Sequence, residues 1–265
     1  MTRGRAVIAA VVALWQALAA TATGQTQPAM APVPKSCEGA GDSAIAGSQM
    51  PRVATALKER KKIRILAIGG GSVTLGGRAA GSHYALIEKF LEASFKGLDV
   101  EIIDRGVSGE LAADAADRIK TEVALNEADL LLWQLGTADA LAQVDTDDLR
   151  RTVTETLAWL KQHGIDVILI GVRYAPQLVD DPHYQAVRRI INEVATELGV
   201  MRLGRYEAEE TLARVRRDRG QDLSEVEVSE ASYVCMAEYL SRAIAAGLFA
   251  RQSPPRPAHP TPPKG

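Results

Sequence analysis

The chain has 265 residues, 46% hydrophobic and 24% charged, with a formal net charge of -2. That length can bury the core of one globular domain with appendages, and near-neutral charge gives no electrostatic case for nucleic acid, which would need a basic face. Two cysteines exclude a cysteine-rich metal module, 5% aromatic content argues against an aromatic-lined groove, and a histidine-dependent mechanism has only four candidates: His83, His163, His183 and His259.

The N-terminus opens Met-Thr-Arg-Gly-Arg ahead of an apolar run from Ala6 to Ala20, and Ala20-Thr21-Ala22 fits the small-x-small rule for signal peptidase. Residues 1–22 read as a bacterial secretory signal peptide, which places the mature protein in the periplasm or outside the cell. The alternative, a membrane anchor, is disfavoured because the run falls short of the roughly 20 residues of a span and contains Gln16. Residues 23–53 are rich in Ala, Gly, Pro, Ser and Gln without a helical or strand period, and read as a flexible arm. The folded unit is then 54–251. Residues 252–265 form a Pro-rich tail, expected to be disordered, which removes His259 from any site.

Within the folded unit, Ile63 to Ile68 is a short β-branched run ending in glycines, hence a buried strand. His83 to Phe95 repeats apolar residues at helical spacing, and Leu98 to Ile103 is a second strand. Leu111 to Val123 is helical, Asp129 to Leu135 is an almost wholly apolar third strand, and Leu149 to Gln162 is a helix closed by His163-Gly164. Asp166 to Gly171 is a fourth strand, Tyr184 to Leu198 a helix, Val200 to Leu203 a fifth strand, and Ser229 to Leu248 the closing helix. Strands buried on both faces and separated by helices define an α/β/α three-layer sandwich on a parallel five-stranded sheet. In such sheets the working residues gather in loops at the carboxyl ends of the strands.

The first such loop is Gly69-Gly70-Gly71-Ser72-Val73-Thr74-Leu75-Gly76-Gly77. It lacks the Lys-Ser/Thr pair of a phosphate loop, and Thr74 stands where a dinucleotide fingerprint needs its third glycine, so a presented serine is the remaining reading. The second loop is Asp104-Arg105-Gly106-Val107-Ser108-Gly109 and the third Gly136-Thr137-Ala138-Asp139. On these blocks the chain resembles the SGNH/GDSL hydrolases, esterases and acyltransferases with a flavodoxin-like fold. Gly70-Gly71-Ser72-Val73-Thr74-Leu75-Gly76 follows the family's Gly-Asp-Ser-Leu/Ile-Thr-x-Gly with Gly71 for Asp. Gly106 matches the block-two glycine, and Ala138 stands for Asn in Gly-x-Asn-Asp. Exported proteobacterial members are a closer likeness, with Tyr174-Ala175-Pro176 after the fourth strand and a cysteine, Cys235, in the last helix.

The resemblance implies acyl transfer: Ser72 as nucleophile, with the oxyanion held by the N–H groups of Ser72 and Gly106 and by an asparagine amide that Ala138 cannot supply. The family's Asp-x-x-His before the last helix maps onto Ser224 and Glu227, or, two residues earlier, onto Asp222 and Glu225. Neither register contains a histidine, and a carboxylate is a poor base for a serine hydroxyl at neutral pH. His183, in Asp180-Asp181-Pro182-His183-Tyr184, lies on the working edge as a substitute base, against a plain surface turn. His83 suits a cap and His163 a helix C-terminus, where positive charge meets the dipole.

Two function classes follow: an esterase using Ser72 with a non-standard base, or a degenerate member that binds a small-molecule or glycan ester without turnover. No cofactor is expected. No metal-ligand spacing occurs, Asp145, Asp147 and Asp148 read as helix capping, and Arg214, Arg216, Arg217 and Arg219 read as a solvated helix face. No transmembrane segment remains after signal removal. Export permits a Cys37–Cys235 disulfide pinning the arm to the domain, against two free buried thiols.

Overall fold

The computed structural model describes residues 45–46, 49–70, 83–220 and 225–249. In chain order it contains β1 (Ile45–Ala46), α1 (Pro51–Glu59), β2 (Lys62–Gly70), α2 (His83–Ser94), β3 (Asp99–Val107), α3 (Ala112–Asn126), β4 (Leu130–Gln134) and α4 (Thr137–Leu141). There follow α5 (Thr146–Gln162), β5 (Asp166–Ile170), a 3-10 turn (Pro176–Leu178), α6 (Pro182–Leu198), β6 (Met201–Leu203), α7 (Arg205–Asp218) and α8 (Glu225–Phe249). The strands form one sheet in the order β1-β6-β5-β4-β2-β3. Every pairing is parallel except the short antiparallel contact of β1 with β6, where Ile45 faces Leu203.

Burial explains why these segments are strands. Leu130, Leu131, Leu132 and Trp133 on β4 are all buried, so the central strand reads as an unbroken apolar run. Successive residues serve opposite faces. Leu130, Leu132, Ile168 and Ile170 join the layer made by α1, α2 and α8. Leu131, Trp133 and Leu169 join the layer made by α3, α5 and α6. Each large side chain so enclosed contributes about 1.5–3 kcal/mol.

Local signals set the helix ends. The Asp145 carboxylate accepts from the N–H groups of Asp147 and Asp148 at the start of α5, as the acidic stretch implies. Asp181 caps α6 by accepting from Tyr184, and Gly199 ends that helix at φ +62°.

The expected five parallel strands are present, and β1 adds a two-residue antiparallel edge. Helices α1, α4 and α7 lie outside the elements expected from periodicity. The reason is visible in α1: its nine residues bury only Val53 and Ala56, too few to register a helical stripe. Strand β3 runs on to Val107, beyond Ile103, and α8 begins at Glu225, ahead of Ser229. Among the described residues no helix is long and apolar enough to cross a membrane.

Candidate active site

The carboxyl ends of β2, β3, β4, β5 and β6 form one edge of the sheet, and two glycines there have steric reasons for being glycine. Gly69 has φ +115°, and a Cβ on it would lie 1.8 Å from the Gln134 carbonyl oxygen. Gly136 has φ +98°, and a Cβ there would lie 2.4 Å from Ile191 Cδ1. The turn after β4 is therefore pressed onto α6.

Asp139 braces that turn. It is 1% exposed, and its Oδ2 accepts from the Gly136 N–H at 2.9 Å while Oδ1 accepts from the Ala112 N–H at 2.8 Å. Burial pushes its carboxyl above the ordinary aspartate value, and the backbone donors oppose that shift. The block-three acid thus ties the start of α3 to the turn that carries Ala138. Ala138 itself is half-buried in α4 and offers only a methyl.

The segment after β5 is clamped from three sides. Thr137 Oγ1 accepts from the Arg173 N–H at 3.1 Å, and the Tyr184 hydroxyl donates to the Arg173 carbonyl at 2.6 Å. Glu209 accepts from the Tyr174 N–H at 2.7 Å and from Arg205 Nε at 2.9 Å, with Arg205 buried. Tyr174 also meets Tyr206 edge-on, with ring centroids 5.3 Å apart. The i,i+4 spacing of Arg205 and Glu209 was legible in the sequence, but nothing local marked their partner loop.

Gly106 lies within β3, not in a loop beyond it, opposite Gly69. Its N–H donates to Asp104 Oδ1 at 2.9 Å. The donor that the resemblance assigns to an oxyanion is engaged by a carboxylate two residues away. Asp104 also acts on Tyr84, whose hydroxyl burial pushes far above its ordinary value, with the Asp104 charge adding to the rise. The signal for Asp104 was its position alone, two residues before the glycine.

Ser72, Ser224, Asp222 and Cys37 lie outside the described residues. Glu225 opens α8 and Glu227 falls in its first turn, inside the helix that the block was expected to precede. His83 is the first residue of α2. His183 follows Pro182 at the start of α6, and its Nε2 is buried without a hydrogen-bond partner among the described residues. His163 is the C-cap of α5, with Nδ1 2.7 Å from the Trp159 carbonyl oxygen. Cys235 is 5% exposed in α8, and the described residues contain no free cysteine. Among the described residues no group of three His, Cys, Asp or Glu side chains could hold a metal ion.

A model of the non-GDSL lipase-like family matches residues 36–250. The crystal structure of Axe2, an acetylxylan esterase from Geobacillus stearothermophilus, is 19% identical, covers 69% of this chain and 94% of its own, and superposes with a TM-score of 0.55. That of AlinE4, an SGNH-hydrolase family esterase, is 23% identical, covers 62% of this chain and 84% of its own, with a TM-score of 0.50. At these identities the likeness establishes the fold, an α/β sandwich of the SGNH hydrolase type. No curated protein matches the chain.

Proposed function

The chain belongs to the non-GDSL lipase-like family, and on that premise we propose that it is an exported pseudoenzyme. Its descent is from serine ester hydrolases or acyl transferases, and it retains a small-molecule or glycan ester ligand with little or no turnover. The observation that carries this reading is the oxyanion side of the edge. The Gly106 N–H is turned onto Asp104, and Ala138 presents a methyl in the asparagine position. One oxyanion donor is typically worth about 3 kcal/mol, or a hundred- to thousand-fold in rate. A carboxylate beside the hole also opposes the negative charge that must develop there.

The base is the second deficit. Glu227 or Glu225 stands where the family keeps histidine, and an ordinary carboxylate holds a proton too weakly to activate Ser72. Export rests on the signal-peptide pattern of residues 1–22, with the mature protein periplasmic or secreted and the tail 252–265 outside the domain, which takes in β1 and the start of α1 ahead of residue 54. A Cys37–Cys235 disulfide belongs to the same reading, supported by the absence of a free cysteine among the described residues of a chain with two cysteines.

The purified mature protein should take no fluorophosphonate label and hydrolyse p-nitrophenyl acetate no faster than Ser72→Ala. Labelling at Ser72 with Ser72-dependent turnover would overturn the pseudoenzyme. One observation favours a second reading, an active esterase: the buried Nε2 of His183, which has no partner among the described residues. In that case the wild type turns over, and His183→Ala loses as much activity as Ser72→Ala.

A further inference from the structure

At the opposite end of the sheet from Gly106 and Ala138, near the amino ends of β4 and β5, lies a cleft of about 510 Å³. It is lined by Arg52, Arg60, Lys120, Glu127, Trp159 and His163 among others, and the family site accounts for none of them. We infer that this cleft binds an oxyanion-bearing ligand, a carboxylate or phosphate group, at a site separate from the candidate active site.

The Asp129 carboxylate is completely buried. It accepts from Arg52 Nε at 3.1 Å and from Arg60 Nη2 at 2.6 Å on one oxygen, and from the Arg64 N–H at 3.1 Å on the other. One negative charge thus holds two guanidiniums at the cleft wall. A guanidinium has five N–H donors in a fixed plane. Arg52 and Arg60 each spend one on Asp129, make no further side-chain hydrogen bond among the described residues, and remain 46% and 41% exposed. Their rotamer freedom is largely surrendered on folding, so an arriving anion need not immobilise them. That is preorganisation for a planar, bidentate oxyanion.

The remaining lining agrees. Glu127, the carboxylate on the wall, is taken by Arg64. Lys120 is exposed, with its Nζ 5.9 Å from the Trp159 ring centroid, and forms no ion pair among the described residues. The cleft therefore carries Arg52, Arg60 and Lys120 against the shared Asp129, the neutralised Glu127 and the buried Asp166, which also interacts with Arg52. Trp159 and His163 stack at 4.0 Å with 24° between their planes, and present a flat, partly exposed flank beside those cations. A carboxylated sugar ring would use both the charge and the flank, whereas inorganic phosphate would use the charge alone.

The test is calorimetric titration of the full mature chain at low ionic strength, with inorganic phosphate in one arm and trigalacturonate in the other. At least one should bind, weakening as salt is added. Lys120→Glu should lower that affinity about tenfold, the effect of losing one charge-assisted contact. Its thermal midpoint should not change, since Lys120 holds no structural ion pair. Ser72→Ala should bind as the wild type does, so failure of the pseudoenzyme reading leaves this one standing. Trigalacturonate binding alone identifies an acidic glycan, phosphate binding alone identifies a small anion or phosphoryl group, and binding of both identifies recognition by charge. Binding of neither, or binding untouched by Lys120→Glu, overturns the site.

Discussion

At Gly69 the backbone takes φ +115°, and an added Cβ would lie 1.8 Å from the carbonyl oxygen of Gln134 on the paired strand. The obstacle is backbone in the centre of the sheet, so no rotamer change relieves it. Gly69→Ala must either strain the positive φ or push β2 from β4, and the expected cost is about 3 kcal/mol or more. For a domain of this size that lowers the melting temperature by about 10 °C, readable by differential scanning calorimetry. A midpoint within 2–3 °C of the wild type, roughly what 1 kcal/mol produces, would show that the strands can part cheaply. The glycine run after Ile68 was legible in the sequence as a place where backbone must come close to something. What it approaches at Gly69 is a neighbouring strand rather than a ligand, and local sequence does not carry that distinction. Gly106 shows the same limit. Its identity and place were readable, but the engagement of its N–H by Asp104 depends on how one side chain turns.

Helix α1 is held to the sheet by two carboxylates at the amino ends of adjacent strands. Asp166, which opens β5, is 7% exposed and accepts from the Val53 N–H at 2.9 Å, while Asp129 holds Arg52 and Arg60. Burial, reinforced by the neighbouring Asp129 charge and opposed by backbone donors and Arg52, pushes the Asp166 carboxyl up from 3.8 to about 6. Between those values the folded protein keeps a proton that the unfolded chain releases. The contribution of this group to stability is therefore greatest at the acid end and is lost as pH rises from about 4 to about 6. Asp166→Asn, whose amide oxygen can still accept from Val53, has no such loss. The melting temperature of the variant relative to the wild type should accordingly rise across that window and level off above it. A difference independent of pH would remove Asp166 from the titration. The strands β4 and β5 were legible because their burial is continuous and leaves an apolar run. Helix α1 was not, because what fixes it is a set of polar contacts to residues some 70 to 110 positions away. Periodicity records only which face of an element is apolar, so an element anchored by charge escapes it.

Taken as a whole, the molecule uses the two ends of its parallel sheet differently. The carboxyl edge holds Gly106 with its N–H on Asp104 and the half-buried methyl of Ala138, while the amino edge gathers cations around the buried Asp129. The proposed bridge through Cys37, in the segment before β1, bears on the stability of the molecule. Cys235 sits in the layer where Leu240 and Ile244 of α8 pack with Met50. A bridge from there to Cys37 closes a loop of about 200 residues, for which the chain-entropy model gives about 5 kcal/mol and experience with natural disulfides about 2–4. At about 3 kcal/mol, reduction should lower the melting temperature by about 10 °C. Cys37→Ser should show the lower value without reductant and no further fall with it. The control matters because reductant could act on the fold by other routes. Thiol titration of the denatured, unreduced chain should find none. Two thiols per chain, or equal melting temperatures with and without reductant, would mean that the segment before β1 is not covalently held and that Cys235 is packed for its apolar character alone.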